Sequence, residues 1–223
     1  MNMGIIAASR LRGFEFPNSG IIHRYNFNEI SGNVSNDLVG TENGIIRPGV
    51  VLGESGFKSG DLAYKVPAQD NAWVEHDPFL TGFENFSIYL RIKDIDRTTN
   101  QNITITYFCG WAGTNSFIIR STFSDTYQFS LVTNIGRVDL DFSRNETNGG
   151  WAELVCTYDG TKMTGNSNKG QIVELPQTGI LNTSNYYQIG NLLNMFNSVK
   201  LIDELIIWDR ALNQEEQSGT FIL

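Results

Sequence analysis

Alternation at a period of two recurs through this chain and constrains its fold more than any other feature. In ENFSIYLRIKD, Phe86, Ile88, Leu90 and Ile92 fall on one face and Ser87, Tyr89, Arg91 and Lys93 on the other, as a half-buried antiparallel strand requires. TYQFSLVT repeats the pattern with Tyr127, Phe129 and Leu131. GRVDLDFS sets Val138, Leu140 and Phe142 against Arg137, Asp139 and Asp141, and Asn, Gly or Asp turns bound both runs. Further strand candidates are IIHRYNFNE, DLAYKV, NAWVEH, NITITYFCG, SFIIRS, WAELVCTYDG, GQIVEL and NYYQIGN. Only ALNQEEQ, after Asp209, reads as helix, and it is too short to stand alone. Many short strands without helical crossovers predict an all-β fold of two packed antiparallel sheets, a β-sandwich or jelly roll. No internal repeat or Pro/Ser linker interrupts residues 21–223, which are read as one domain. Residues 1–20, MNMGIIAASRLRGFEFPNSG, follow neither period and are read as an extended N-terminal arm.

Composition narrows the function. With 223 residues, 40% of them hydrophobic and 18% charged, the chain can bury a core without staples. A net charge of -8 argues against a nucleic-acid partner, which needs Lys and Arg gathered on one face. Cys109 and Cys156 are too few for a disulfide framework or zinc cluster, and each lies in an apolar run that suits a small buried thiol. The apolar run Ile5 to Ala8 is shorter than the core of a secretory signal, and no window reaches the length of a membrane span. The expectation is a soluble chain made without a signal and without membrane insertion.

The last strand candidate, VKLIDELIIW, places two carboxylates inside an apolar run. At a period of two, Asp203 shares a face with Val199, Leu201, Leu205 and Ile207, while Glu204 lies beside Lys200 and can be solvated. A carboxylate among Val and Leu costs several kcal/mol if unpaired, so Asp203 requires a partner. A calcium ion, backbone N–H groups of a neighbouring loop, or an arginine would each serve.

Ile-Asp-Glu-Leu-Ile-Ile-Trp-Asp-Arg-Ala-Leu, followed by a Glu-rich turn, resembles the closing strand of concanavalin A-like, laminin G-like (LamG-like) domains. Trp151, Leu154, Thr157, Tyr158, Asp159 and Gly160 in WAELVCTYDG match a second segment of that family, and Tyr25, Phe27, Gly32, Asp37 and Gly40 its opening strand and loop. The resemblance covers roughly residues 21 to 217. It implies a jelly roll with one structural calcium held by Asp37, Asn43 and Asp203, oxygen donors that suit a hard cation. Two departures stand out: the Asp37 loop is about a residue short, and the hairpin TGNSNKGQIVE lacks the family's apolar turn.

Catalytic constellations are not found, and the chain is read as not an enzyme. Glu75-His76-Asp77-Pro78-Phe79-Leu80 comes nearest to the paired carboxylates of a laminarinase-like glycosidase, but Leu80 stands where the acid/base Glu belongs. His23 and His76 have no zinc-ligand spacing. Asp139-x-Asp141-x-Ser143-x-Asn145 begins like a calcium loop, yet Arg144 replaces its glycine and Gly150 its final Glu.

Binding remains. A lectin-like sandwich needs exposed aromatic faces for sugar stacking, and the candidates are Trp111, Tyr186, Tyr187 and Trp208. The expected function is a structural or adhesive module of a phage virion, in a capsid, fibre or tail, with other virion proteins and an oligomer reached through the arm and with host glycan as a possible ligand. The alternative is an extracellular, calcium-assisted carbohydrate-binding module.

Overall fold

The period-two segments pair into two antiparallel sheets of eight strands each. In the computed structural model the described residues are 17–68, 72–78, 80, 82–95, 107–110, 116–122, 126–146, 150–182, 186–190 and 199–219, with backbone alone for 107–109. Numbered along the chain, the first sheet runs β14 (Val173–Pro176), β13 (Lys162–Ser167), β12 (Ala152–Tyr158), β7 (Phe86–Asp94), β16 (Lys200–Trp208), β5 (Leu62–Val66) and β4 (Val51–Ser55). Strand β1 (Ile21–Tyr25) joins it on the remaining length of β16, beyond β5. The second sheet runs β11 (Gly136–Ser143), β10 (Thr126–Thr133), β9 (Phe117–Ser121), β8 (Tyr107–Gly110), β15 (Tyr187–Ile189), β6 (Val74–His76), β3 (Gly44–Ile46) and β2 (Val34–Ser35).

The alternating apolar residues of both sheets meet between them. Phe86, Ile88, Leu90 and Ile92 of β7 pack in one cluster with Phe117, Phe129, Leu131, Tyr187 and Ile189 of the facing sheet. Cys156 is fully buried in the same core. The fold is therefore the β-sandwich that the alternation predicts.

One expectation about β7 is corrected. Its second face was read as solvent-exposed, yet Ser87 and Tyr89 are fully buried and Arg91 nearly so. The segment after β16 covers part of that face. Leu212 N donates to Ser87 Oγ at 2.8 Å, and Tyr89, Val155, Ile206, Trp208 and Leu212 form a second apolar cluster outside the sandwich.

Helix α1 (Gln214–Ser218) overlaps the predicted helical stretch ALNQEEQ, running one residue past it, and follows from its ends. Asn213 and Glu216 form a capping box, and Gly219 closes the helix at φ 65°. On the other side of the chain, Pro17 to Gly20 lie along β16. Pro17 O accepts from Trp208 Nε1 at 3.0 Å and Gly20 O from Asp209 N at 3.0 Å. The sandwich thus includes residues that the sequence reading assigned to the arm, whose residues 1–16 lie outside the described residues.

Candidate functional site

The two carboxylates of β16 lie in a buried charge cluster on the outer face of the first sheet. Ile202 stands opposite Ile92 and Glu204 opposite Arg91, which makes Asp203 the extra residue of a β-bulge. The bulge resets the alternation: Ile202 before it and Leu205 and Ile207 after it all face the core. Asp203 therefore does not share an apolar face with Leu205 and Ile207, and meets Arg91 instead.

Arginine and backbone both supply its donors. Arg91 Nη1 donates to Asp203 Oδ1 at 2.9 Å, and Phe57 N donates to Asp203 Oδ2 at 2.6 Å. The preceding residue must be glycine, because a Cβ on Gly56 would stand 2.7 Å from the backbone oxygen of Leu62 and 2.6 Å from Asp203 Oδ2. Glu204, expected in solvent beside Lys200, is also buried; its Oε2 lies 3.1 Å from Arg91 Nη1, and its Oε1 accepts from Arg24 Nη2 at 2.7 Å. Lys200 instead donates to Gly190 O at 2.8 Å. Arg91 Nη2 reaches Glu153 Oε1 at 3.1 Å, and the guanidinium lies 4.5 Å from the ring centre of Phe57. Burial works against the charge of Arg91, but the oxygens of Tyr89, Glu204 and Asp203 outweigh it and hold the group protonated.

Asp37 is held in the same manner by a different set of donors. Its Oδ1 accepts from the backbone N–H of Arg24 at 3.0 Å, Val39 at 3.2 Å and Gly40 at 3.0 Å, and its Oδ2 lies 2.7 Å from His23 Nδ1. Asn43 Oδ1 accepts from Asp37 N at 2.8 Å. This arrangement does not fit a calcium ion. The oxygens of Asp37, Asn43 and Asp203 are turned to backbone N–H groups, the His23 ring and the Arg91 guanidinium, whereas a hard cation needs them turned to a common point free of donors. Among the described residues no group of three or more His, Cys, Asp or Glu could hold a metal.

A pH dependence follows from Asp37. Burial pushes its pKa up, but the donors from His23, Arg24, Gly40 and Val39 outweigh burial and bring it below the ordinary value of 3.8. Its contribution to stability is complete above the unfolded pKa, near 4, and is lost as pH falls towards the lower folded value. We expect the melting temperature to drop below about pH 4, with a shallower drop in Asp37→Asn, and to be unmoved by calcium or EDTA at neutral pH. A melting temperature raised by calcium would restore the metal reading.

The predicted sugar-stacking aromatics separate under the structure. Trp111 lies outside the described residues. Tyr187 is fully buried against Phe117, 5.0 Å between ring centres, with its hydroxyl 3.1 Å from Ser116 Oγ. Trp208 is fully buried as well, packed with Leu212 and Tyr89. Neither can offer a ring face to a ligand, which corrects both assignments. Tyr186 is partly exposed; burial and the neighbouring Glu75 carboxylate raise its pKa. The sequence reading missed a surface pair, Phe57 and Trp151, whose ring centres are 6.1 Å apart beside the Arg91 cluster. The signal for Phe57 is an aromatic residue inside the polar, glycine-rich turn GESGFKSGD.

His76 faces the interior rather than the surface. It is almost fully buried, and burial pushes its pKa down to about 3, so the ring is neutral through the physiological range.

A polar groove of about 370 Å3 opens where α1 meets β12, β13 and β14. Thr157 and Thr164 form its floor, in register across the two strands, with Oγ1 atoms 2.5 Å apart. Asp159, Lys162 and Glu174 line one side, and Asn213 and Gln214 the other.

The two sheets, with the ion pairs of Arg91 on the outer face of the first, define an all-β sandwich domain. Solved structures share this fold. The binding domain of Paraclostridial mosquitocidal protein 1 is similar at a TM-score of 0.68 and 14% identity, over 89% of this chain and 51% of that one. The botulinum neurotoxin type G receptor-binding domain is similar at a TM-score of 0.69 and 15% identity, over 90% of this chain and 50% of that one. The botulinum neurotoxin DC binding domain, solved in complex with SialylT, is similar at a TM-score of 0.69 and 17% identity, over 90% of this chain and 50% of that one. The chain spans about half the length of these binding domains. No family model and no curated protein matches its sequence.

Proposed function

We propose that this chain is a non-catalytic adhesive module, a rigid sandwich that displays a recognition surface to a receptor on a cell or particle. The observation that carries the reading is the shared fold, over about nine-tenths of the chain, with binding domains of toxins, one of them a receptor-binding domain by name. One of these was solved with SialylT, and another structure of the same DC domain with rat synaptotagmin II. The interior charges agree with it. Arg91 holds Asp203, Glu204 and Glu153, and His23 holds Asp37, so these groups maintain the fold rather than turn over a substrate. We further place the module on a phage virion, in a fibre, tail or capsid decoration, with residues 1–16 as its attachment. The support for that step is the aperiodic, arginine-bearing sequence of those residues.

The test is binding of the full chain to a panel of polysaccharides, host-surface glycans and host-cell envelopes, with product analysis of each mixture. Saturable binding without new reducing ends is the expected result. Release of reducing sugar would make the chain an enzyme, and failure to bind any member would remove the adhesive reading. Removal of residues 1–16 should abolish incorporation into particles and leave binding intact.

A further inference from the structure

We infer that the groove between α1 and strands β12 to β14 is a binding site for a neutral saccharide of one or two sugar units. The inference deepens the adhesive reading, on which it rests, by naming the site and the ligand class. Its volume of about 370 Å3 lies at the small end of the range for ligand sites, roughly 300–1,000 Å3.

The floor is rigid and already satisfied. Thr157 and Thr164 are nearly fully buried, and Thr164 Oγ1 also donates to Gln217 Oε1 at 3.0 Å. Gln217 in turn ties down the approach to α1 by donating from Nε2 to Leu212 O at 2.7 Å. The floor network closes on itself, so it shapes the groove and leaves recognition to the walls.

The wall groups match hydroxyls rather than charges. Asp159 is fixed by its own turn: Oδ1 accepts from Thr161 N at 2.9 Å, Thr161 Oγ1 at 2.7 Å and Lys162 N at 2.8 Å. Its other oxygen is then an oriented acceptor for a sugar hydroxyl. Burial would raise the Asp159 pKa, but those turn donors lower it on balance, so the carboxylate is charged at neutral pH. Lys162 Nζ donates to Glu174 Oε2 at 2.6 Å, which holds that ammonium on its own wall. Gln214 adds a neutral amide that can both donate and accept, and Asn213, whose Oδ1 accepts from Glu216 N at 2.9 Å, adds amide N–H donors.

Charge sets the selectivity. Two carboxylates face one ammonium, so the lining carries a net charge of -1 and disfavours carboxylated, sulfated or phosphorylated sugars. Ile172, which is partly exposed, supplies an apolar flank for the C–H face of a pyranose. A cationic peptide also suits the net charge, but Lys162 already pairs with Glu174 at 2.6 Å, which leaves Asp159 as one carboxylate for it to meet.

The test is a titration of the full chain, followed by amide chemical shifts, with lactose, maltose and cellobiose, and with sialyllactose and trilysine as comparators. The expected result is saturable binding of at least one neutral disaccharide, with shifts at the groove and none from sialyllactose. Asp159→Asn removes the charged acceptor with little change in shape, and Gln214→Trp fills the mouth from an exposed position. Each should raise Kd by about tenfold or more while the melting temperature holds, as expected for loss of a charge-assisted hydrogen bond or of the space itself. Neutral sugars that bind equally well to both variants, or a preference for trilysine or sialyllactose, would overturn the inference. If the full chain binds the wider receptor panel and the groove variants bind it unchanged, the groove fails and the adhesive reading stands. If nothing on either panel binds, both fail.

Discussion

Replacing Arg91 by methionine is expected to destabilise the chain by about 3–5 kcal/mol, the scale for stranding buried charges by removing one partner. The guanidinium side chain is 3% exposed and touches Asp203 at 5%, Glu204 at 10% and Glu153 at 16%, so solvent cannot take over its role. Asp203 would keep only the N–H of Phe57, and Glu204 only Arg24. The ring of Phe57 would also lose the cation on which it stacks. Denaturant unfolding reads the effect directly. The double variant with Asp203→Asn should recover part of the loss, because it removes one of the stranded charges. A loss below about 1 kcal/mol for Arg91→Met would class the cluster with ordinary surface ion pairs.

Trp208→Ala carries an expected loss of similar size, about 3–5 kcal/mol, from the cavity left by a large buried ring. Trp208 packs with Tyr89, Val155, Ile206 and Leu212, and its indole N–H donates to Pro17 O. The substitution therefore opens the outer cluster and frees the segment that precedes β1 at the same time. This experiment also separates two roles for the residue. A structural Trp208 gives a lowered melting temperature, with any glycan affinity falling only as far as the fold does. A ring used to stack on sugar would give the reverse, an unchanged melting temperature with binding lost.

The sandwich was legible because alternation is a local signal that survives without knowledge of partners. Phe86, Ile88, Leu90 and Ile92 point to the core as their spacing requires. The second face was less legible. Ser87, Tyr89 and Arg91 read as solvent-facing because period two separates faces without saying what covers each one, and their cover comes from Leu212 and Phe57, far away in the chain. The need of Asp203 for a partner was visible in its apolar surroundings. Its choice of Arg91 was not, since the two lie 112 residues apart, and the bulge that turns it there leaves no mark in the pattern. The aromatics failed for a related reason. Tyr187 and Trp208 sit near strand ends, where rim packing and open faces look alike in sequence. The groove was hidden most completely: Thr157, Asp159 and Lys162 come from one hairpin, and Asn213 and Gln214 from a helix cap some fifty residues later.

The clasp between β1 and β16 has a mechanical consequence. The two strands are antiparallel, with Ile21 opposite Trp208 and Tyr25 opposite Leu205, so both described ends of the chain leave from the same corner. Tension between residue 17 and residue 219 meets this pair at its end and peels its hydrogen bonds one after another. Tension between residue 17 and a ligand held on the far side of the sheet would shear the bonds together. A tether through the N-terminal segment alone would therefore hold under load, whereas a tether through both ends would turn the same strand pair into a release.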